Sequence, residues 1–340
     1  MINIRDYIRN KSQEIGIDII GFTDGDPLLN IKDYLIYKRE LGKYTTFEEK
    51  DIEKRIDPKQ TLPNCQSIIV VGISYNVDYN IKDNNIKLKG RLSKSSWGID
   101  YHRVLRNKME KLVKLLEEDH EFEYKIFTDT GPLVDRELAK KAGIGYYGKN
   151  CSIINKEYGS FIFLGYILTS LEIDIEKVYR EEECGDCTLC LRACPTGALE
   201  SKYHINSNKC ISYLTQTKEI IPEELRHKMG NRIYGCDTCQ EVCPKNKGIK
   251  YSKNKEFIPQ KTKGIIDIKE LLSMSNREFR EKYGDMAGSW RGKNTLKRNA
   301  IITLGNMKSK ENLEFLYEEE KKDIKSLNEY IKWSINKIND

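Results

Sequence analysis

Cys184, Cys187, Cys190 and Cys194, the last followed by Pro195, are spaced CxxCxxCxxxCP. Thiolates at this spacing wrap three corners of one 4Fe-4S cube and send the fourth to a second cube, so a partner motif is required. CDTCQEVCP supplies Cys236, Cys239 and Cys243, and Cys210 can provide the missing fourth ligand from a distance. Crossover wiring then assigns Cys184, Cys187, Cys190 and Cys243 to one cluster, and Cys194, Cys210, Cys236 and Cys239 to the other. Structural zinc also takes CxxC pairs, but it has no use for this doubled pattern. A disulfide framework belongs to small secreted chains, whereas the opening MINIRDYIRNKSQEIG is amphipathic rather than signal-like. Cys65 and Cys151 read as small buried hydrophobes.

Two cubes move single electrons but break no bonds in a closed-shell substrate, so a further cofactor is required. AGIGYYGKN spells GxGxxG through Gly143, Gly145 and Gly148, yet helical RELAKKA precedes it and strand-like CSII follows, the reverse of a dinucleotide fold. GIDYHRVL carries Asp100 and His102 in a partial DxHxxG corrinoid signature, but Leu105 stands where glycine belongs, so His102 is not assigned as a cobalt ligand.

These groups must be carried on more than one core, because 340 residues exceed what a single core usually supports. Residues 18–22, 67–75 and 122–127 read as strands, and Val104, Leu105, Met109, Leu112, Val113 and Leu116 fall at helical spacing. The expected organisation is an α/β domain over 1–178, a ferredoxin-like module over 179–262 held together by its metal, and a helical domain over 263–340. With 39% hydrophobic and 32% charged residues and no apolar run near bilayer length, the expectation is a cytoplasmic protein without membrane attachment. Lys245–Lys263 holds seven lysines against Glu256 alone, a candidate phosphate surface or a solvated loop.

The segments FTDTGPLVDRELAKKAGIGYYGKN, CGDCTLCLRACPTGAL, CISYLT, NRIYGCDTCQEVCPKN and GSWRGKNTLKRNAIITLGN, in that order, resemble epoxyqueuosine reductases over about residues 1–310. The resemblance implies a cytoplasmic, cobalamin-dependent iron-sulfur enzyme, related to reductive dehalogenases, that reduces the epoxide of epoxyqueuosine at the tRNA wobble position. It further implies an external low-potential electron donor, and a monomer is expected. FTDTGP carries the family's proton donor onto Asp129, and burial against the corrin would raise its pKa from the usual value of about 3.9. Asp135, the competing carboxylate, opens a helix, where dipole compensation or an ion pair is its ordinary role.

Arg55, Asn150, Ser152 and Ser212 match positions of the family's cofactor pocket. Asp100 and Tyr101 match its DYH motif, with Ile99 where a basic residue is usual. Trp290, Arg291, Lys293, Lys297 and Arg298 match a HEAT-like tail and are expected to grip tRNA, cations on phosphates and the indole on an unpaired base. Two rivals remain open: a dehalogenase-like corrinoid reductase of a small molecule, and a non-catalytic ferredoxin fused to a scaffold.

Overall fold

The computed structural model describes residues 3–81, 86–175 and 183–340. The expected boundary at 178/179 lies outside them. Helix α1 (Ile4–Ile15), capped by Asn3 and closed by left-handed Gly16, leads into β1 (Ile19–Asp24). Helices α2 (Lys32–Glu40) and α3 (Ile52–Ile56) precede the central strand β2 (Ser67–Ser74). Then follow β3 (Lys89–Leu92), α4 (Tyr101–Glu117), β4 (Tyr124–Thr128), α5 (Asp135–Lys141), the short hairpin β5 (Tyr146–Tyr147) and β6 (Ile153–Ile154), and β7 (Ile162–Thr169).

Strand β2 reads SIIVVGIS, an unbroken apolar run because both of its faces are covered. Successive side chains point to opposite faces. Ile69, Val71 and Ile73 meet Ile8 of α1 and Leu105, Met109 and Leu112 of α4. Ile68 and Val70 meet Leu35 of α2, Ile52 and Ile56 of α3, and Leu138 of α5. Each such fully buried side chain contributes roughly 1.5–3 kcal/mol, so a one-residue slip of register would exchange two complete sets of contacts.

The sheet order is β1-β2-β7-β4, and every pairing is antiparallel. The α/β expectation is therefore refined. Helices cover both faces, but the long segments between strands return the chain antiparallel instead of forming parallel crossovers.

The cysteine segment holds short pieces only: α6 (Leu189–Ala193), β8 (Leu199–Ser201), β9 (His204–Ile205), α7 (Ile211–Leu214), α8 (Glu223–Arg226), β10 (Arg232–Tyr234) and α9 (Thr238–Glu241). It is followed by β11 (Ile265–Asp267), then α10 (Ile268–Ser273), α11 (Asn276–Tyr283), α12 (Lys293–Met307), α13 (Leu313–Lys321) and α14 (Lys325–Asn339).

A second sheet, β10-β3-β11, takes one strand from each expected region. One hydrophobic cluster likewise joins Leu105, Ile233 and Ile301. The cysteine segment is thus stitched into its neighbours rather than standing as a separate body.

Candidate active site

A cleft of about 600 Å³ opens where the first sheet, the cysteine segment and the helical tail meet. Arg55, Asp129, Ser152, Ser212 and Trp290 all line it, as do Cys210 and Asp135. Asn150 does not; it lies one layer deeper, beside the cavity between Cys184 and Cys243.

Asp129 follows the last residue of β4 with φ 57°, a left-handed conformation that few non-glycine residues adopt. The turn is fixed from below: a Cβ on Gly131 would lie 2.1 Å from the Tyr166 hydroxyl, which accepts the Leu133 amide at 3.3 Å. The protein does not bury the Asp129 side chain, which is 62% exposed toward the cleft. Tyr101 donates to its Oδ2 at 2.6 Å, and His102 Nε2 stands 3.8 Å from the same oxygen.

The first turn of α4 sets these partners. Asp100 caps the helix by accepting the His102 amide at 3.0 Å, and the same Oδ1 meets His102 Nδ1 at 2.8 Å. The Tyr101 ring stacks between His102 and Phe163, each 4.1 Å away. Burial opposes charge on His102, but the hydrogen bond and charge of Asp100, with Asp129 and Asp135 beyond, hold its pKa above the ordinary value. The DxH spacing thus builds a helix cap that aims an imidazole at Asp129, a role that the missing glycine of the corrinoid signature had concealed.

Asp135 opens α5, as expected. Its Oδ1 is buried without a hydrogen-bond partner. Burial and the neighbouring charge of Asp129 push its carboxyl up to about 8, against the pull of Arg136 and nearby backbone amides.

The opposite wall is cationic. Arg55 is buried and donates to Glu48 at 3.0 Å, Lys38 donates to Glu48 at 2.8 Å, and the Tyr44 ring lies beneath both cations. The Nε of Arg55 and the Nδ2 of Asn150 are buried donors without partners. Unpaired donors in and beneath a cleft of this size fit a bulky ligand rimmed with carboxamide acceptors, as cobalamin is.

The cysteines fall into two sets. Cys184, Cys187, Cys190 and Cys243 surround one small cavity. Cys210, Cys236, Cys194 and Cys239 lie within electrostatic reach of one another. Among the described residues no three metal-binding side chains converge as closely as a single ion requires; a cube takes its thiolates at the corners of a wider cage. Cys65 and Cys151 are buried, at 0% and 3% exposure. Cys151 also packs on Cys190 and Cys194 while lining the cleft.

In the tail, two expected tRNA contacts are corrected. Lys297 is 3% exposed, donates to the Leu272 carbonyl and pairs with buried Glu319. Arg298 is 5% exposed and donates to the Thr217 and Leu214 carbonyls. Arg298 and Asn299, which binds the Thr215 and Ile233 carbonyls, fasten α12 to the segments beside Cys210 and Cys236, while Lys297 ties it to α10 and α13. Their charge is spent on orphan carbonyls rather than offered to phosphates.

Trp290 is 57% exposed at the cleft mouth. Arg291 lies between its ring and that of Phe47, 4.3 Å and 4.7 Å from the centroids. Lys293 is half-buried and donates to the Met274 carbonyl. Phe47, on the loop before α3, was not legible as a site residue, because nothing local marks it. In the lysine-rich block, Lys245, Lys250 and Lys261 are paired with Glu183, Glu157 and Asp285.

The 4Fe-4S double cluster binding domain family matches residues 183–246, and the family described as Epoxyqueuosine reductase QueG, DUF1730 matches residues 55–130. An epoxyqueuosine reductase of Bacillus subtilis is 43% identical over 99% of this chain and 88% of its own length. A crystal structure of epoxyqueuosine reductase with an epoxyqueuosine-modified tRNA-Tyr stem loop has TM-score 0.95 and 42% identity, covering 99% of this chain and 90% of that one. A Bacillus subtilis epoxyqueuosine reductase whose aspartate catalytic loop is swung out of the active site has TM-score 0.93 and 42% identity, over 99% and 91% of the two chains. Similarity of this degree across nearly its whole length shows that the chain belongs to the epoxyqueuosine reductase family.

Proposed function

We propose that this chain reduces epoxyqueuosine to queuosine in tRNA, with two 4Fe-4S clusters feeding a cobalamin in the cleft and Asp129 as proton donor. The observation that carries this reading is the convergence of Cys210, Asp129 and Trp290 on one cleft: an electron port, a proton source and a nucleobase platform. A small-molecule dehalogenase has no need of the aromatic mouth, and a plain ferredoxin has no need of a held carboxyl. The relatives' printed substrate, an epoxyqueuosine-modified stem loop, supports the same choice.

Cobalamin, when bound, supplies a strongly reducing nucleophilic centre that takes electrons singly and passes on a pair. Arg55, Ser152 and Ser212 line its proposed place, and Asn150 supports the floor. The set with Cys184 and Cys187 borders exposed Gly185, Asp186 and Leu189, which makes it the entry point for an external low-potential donor, while Cys210 faces the cleft. Asp129 presents its carboxyl at the end of β4, where Tyr101 restrains it. Trp290, Arg291 and Phe47 grip unpaired bases at the mouth, and Lys293 adds charge beside them.

The test is an anaerobic one. Protein reconstituted with iron, sulfide and cobalamin should retain both iron-sulfur and corrin absorption after desalting, and should convert the stem-loop epoxide when given a low-potential reductant. Loss of the corrin on desalting, with clusters intact, would remove the cofactor assignment.

A further inference from the structure

The chemistry needs more protons than Asp129 alone can hold. Opening the epoxide breaks both carbon–oxygen bonds, forms the alkene and releases water, which consumes two electrons and two protons. The electrons come through the clusters. A single carboxyl carries one proton, so the second must reach the same departing oxygen from elsewhere in the cleft.

Only one oxygen of Asp129 is engaged by α4: Oδ2 takes the Tyr101 hydroxyl at 2.6 Å and faces His102 Nε2 at 3.8 Å. The opposite ring nitrogen of His102 is held by Asp100 at 2.8 Å. This carboxylate–imidazole–carboxylate line fixes the ring orientation, stabilises the imidazolium through Nδ1 and leaves Nε2 toward Asp129. A gap of 3.8 Å, too short to admit a bridging water, is closed by a small movement of Asp129, whose exposed side chain sits on a left-handed turn.

We propose that His102 is a positioning and proton-delivery residue that acts through Asp129, reloading it with the second proton while Asp100 supports the resulting imidazole. The proposal rests on the reading of Asp129 as proton donor. Protonated His102 loses its Nε2 proton to the Asp129 carboxylate, Asp129 returns to its acid form, and that proton leaves on the substrate oxygen as water. His102 regains a proton from solvent at the exposed cleft mouth between turnovers.

His102 faces Asp100, which caps its helix, Tyr101 stacked on it, and Asp129 and Asp135 across the cleft, while Arg103 and Tyr234 of β10 bear on it through Asp100. Of these, Asp135 also titrates near neutral pH, at about 8, so the test must separate the two.

The experiment follows kcat and KM for the stem-loop substrate against pH in the holoenzyme and in His102→Gln, Asp100→Asn, Asp135→Asn and Asp129→Asn, with iron content and cluster absorption checked in each. Wild-type kcat should fall as pH rises and His102 loses its proton. His102→Gln should lower kcat about 10²-fold with KM unchanged, and should abolish that alkaline limb. Asp100→Asn should shift the limb to lower pH, and Asp135→Asn should keep it. A limb that survives in His102→Gln, or vanishes only in Asp135→Asn, overturns the relay. Wild-type turnover in Asp129→Asn would instead overturn the donor assignment on which it rests. Should His102→Gln lose iron, His102→Asn is measured in its place.

Discussion

Tyr101 donates its hydroxyl to Asp129 Oδ2 at 2.6 Å while its ring lies nearly parallel to that of Phe163, 4.1 Å away with 6° between the planes. The stack aims the phenol, and the phenol restrains a carboxylate that stands on an exposed left-handed turn. Tyr101→Phe keeps the stack and removes the hydrogen bond. A hydrogen bond to a charged group contributes roughly 1.5–3 kcal/mol, so kcat should fall by about ten- to a hundredfold with little change in melting temperature. Steady-state kinetics beside a thermal melt checks this; an unchanged kcat would show that the bond restrains nothing that matters.

Asp135 gives a pH-dependent stability whose sign is fixed by its raised carboxyl. The folded chain keeps a proton up to about 8 that the unfolded chain releases in the ordinary carboxylate range. Stability from this group is therefore present at low pH and lost as pH climbs between those limits. Asp135→Asn removes the penalty and should stabilise the protein near pH 7.5 by on the order of 2 kcal/mol, with no gain near pH 4. Denaturant melts at the two pH values measure it, and equal effects at both would contradict the assignment.

For the clusters, reconstituted protein should hold about eight irons per chain. Cys243→Ser should damage the cluster bound by Cys184, Cys187 and Cys190, the residues it shares a cavity with. Electron paramagnetic resonance of the reduced variant separates the two signals; loss of the other cluster's signal would reverse the crossover pairing.

In the tail, Lys297→Ala should destabilise by about 1–3 kcal/mol, because it removes one of the two lysines that hold buried Glu319, Lys322 being the other, and a donor to the Leu272 carbonyl. Trp290→Ala with Arg291→Ala should cost about 1 kcal/mol, for the lost bond from Arg291 to the Gln216 carbonyl, weaken tRNA binding and flatten its salt dependence. Filter binding across a salt series, paired with melts, distinguishes the two surfaces. Weakened binding in a fully stable Lys297→Ala protein would return Lys297 to the RNA face.

Elements whose signal is local were legible in the sequence. The apolar spacing of α4, the run of β2 and the eight-cysteine pattern each rest on near neighbours, and each has its expected place in the fold. What was concealed depends on residues far away in the chain. Lys297 and Arg298 look like surface cations until the carbonyls of Leu272, Leu214 and Thr217 are packed against them. His102 was set aside because Leu105 replaced a glycine, yet Leu105 is a core residue of α4 at 0% exposure, and the histidine's partner is Asp129 on another element. The antiparallel sheet order was likewise invisible, since strand pairing is a long-range choice.

The most direct measurement is a single anaerobic turnover of an epoxyqueuosine-bearing stem loop by cobalamin-loaded protein with both clusters reduced, read by nucleoside mass. Wild-type protein should yield a nucleoside lighter by one oxygen atom, while Asp129→Asn, with clusters and corrin spectrum intact, should yield none. Conversion by Asp129→Asn at the wild-type rate, or no conversion by fully loaded wild-type protein, would contradict the proposed union of electron port and proton donor in this cleft.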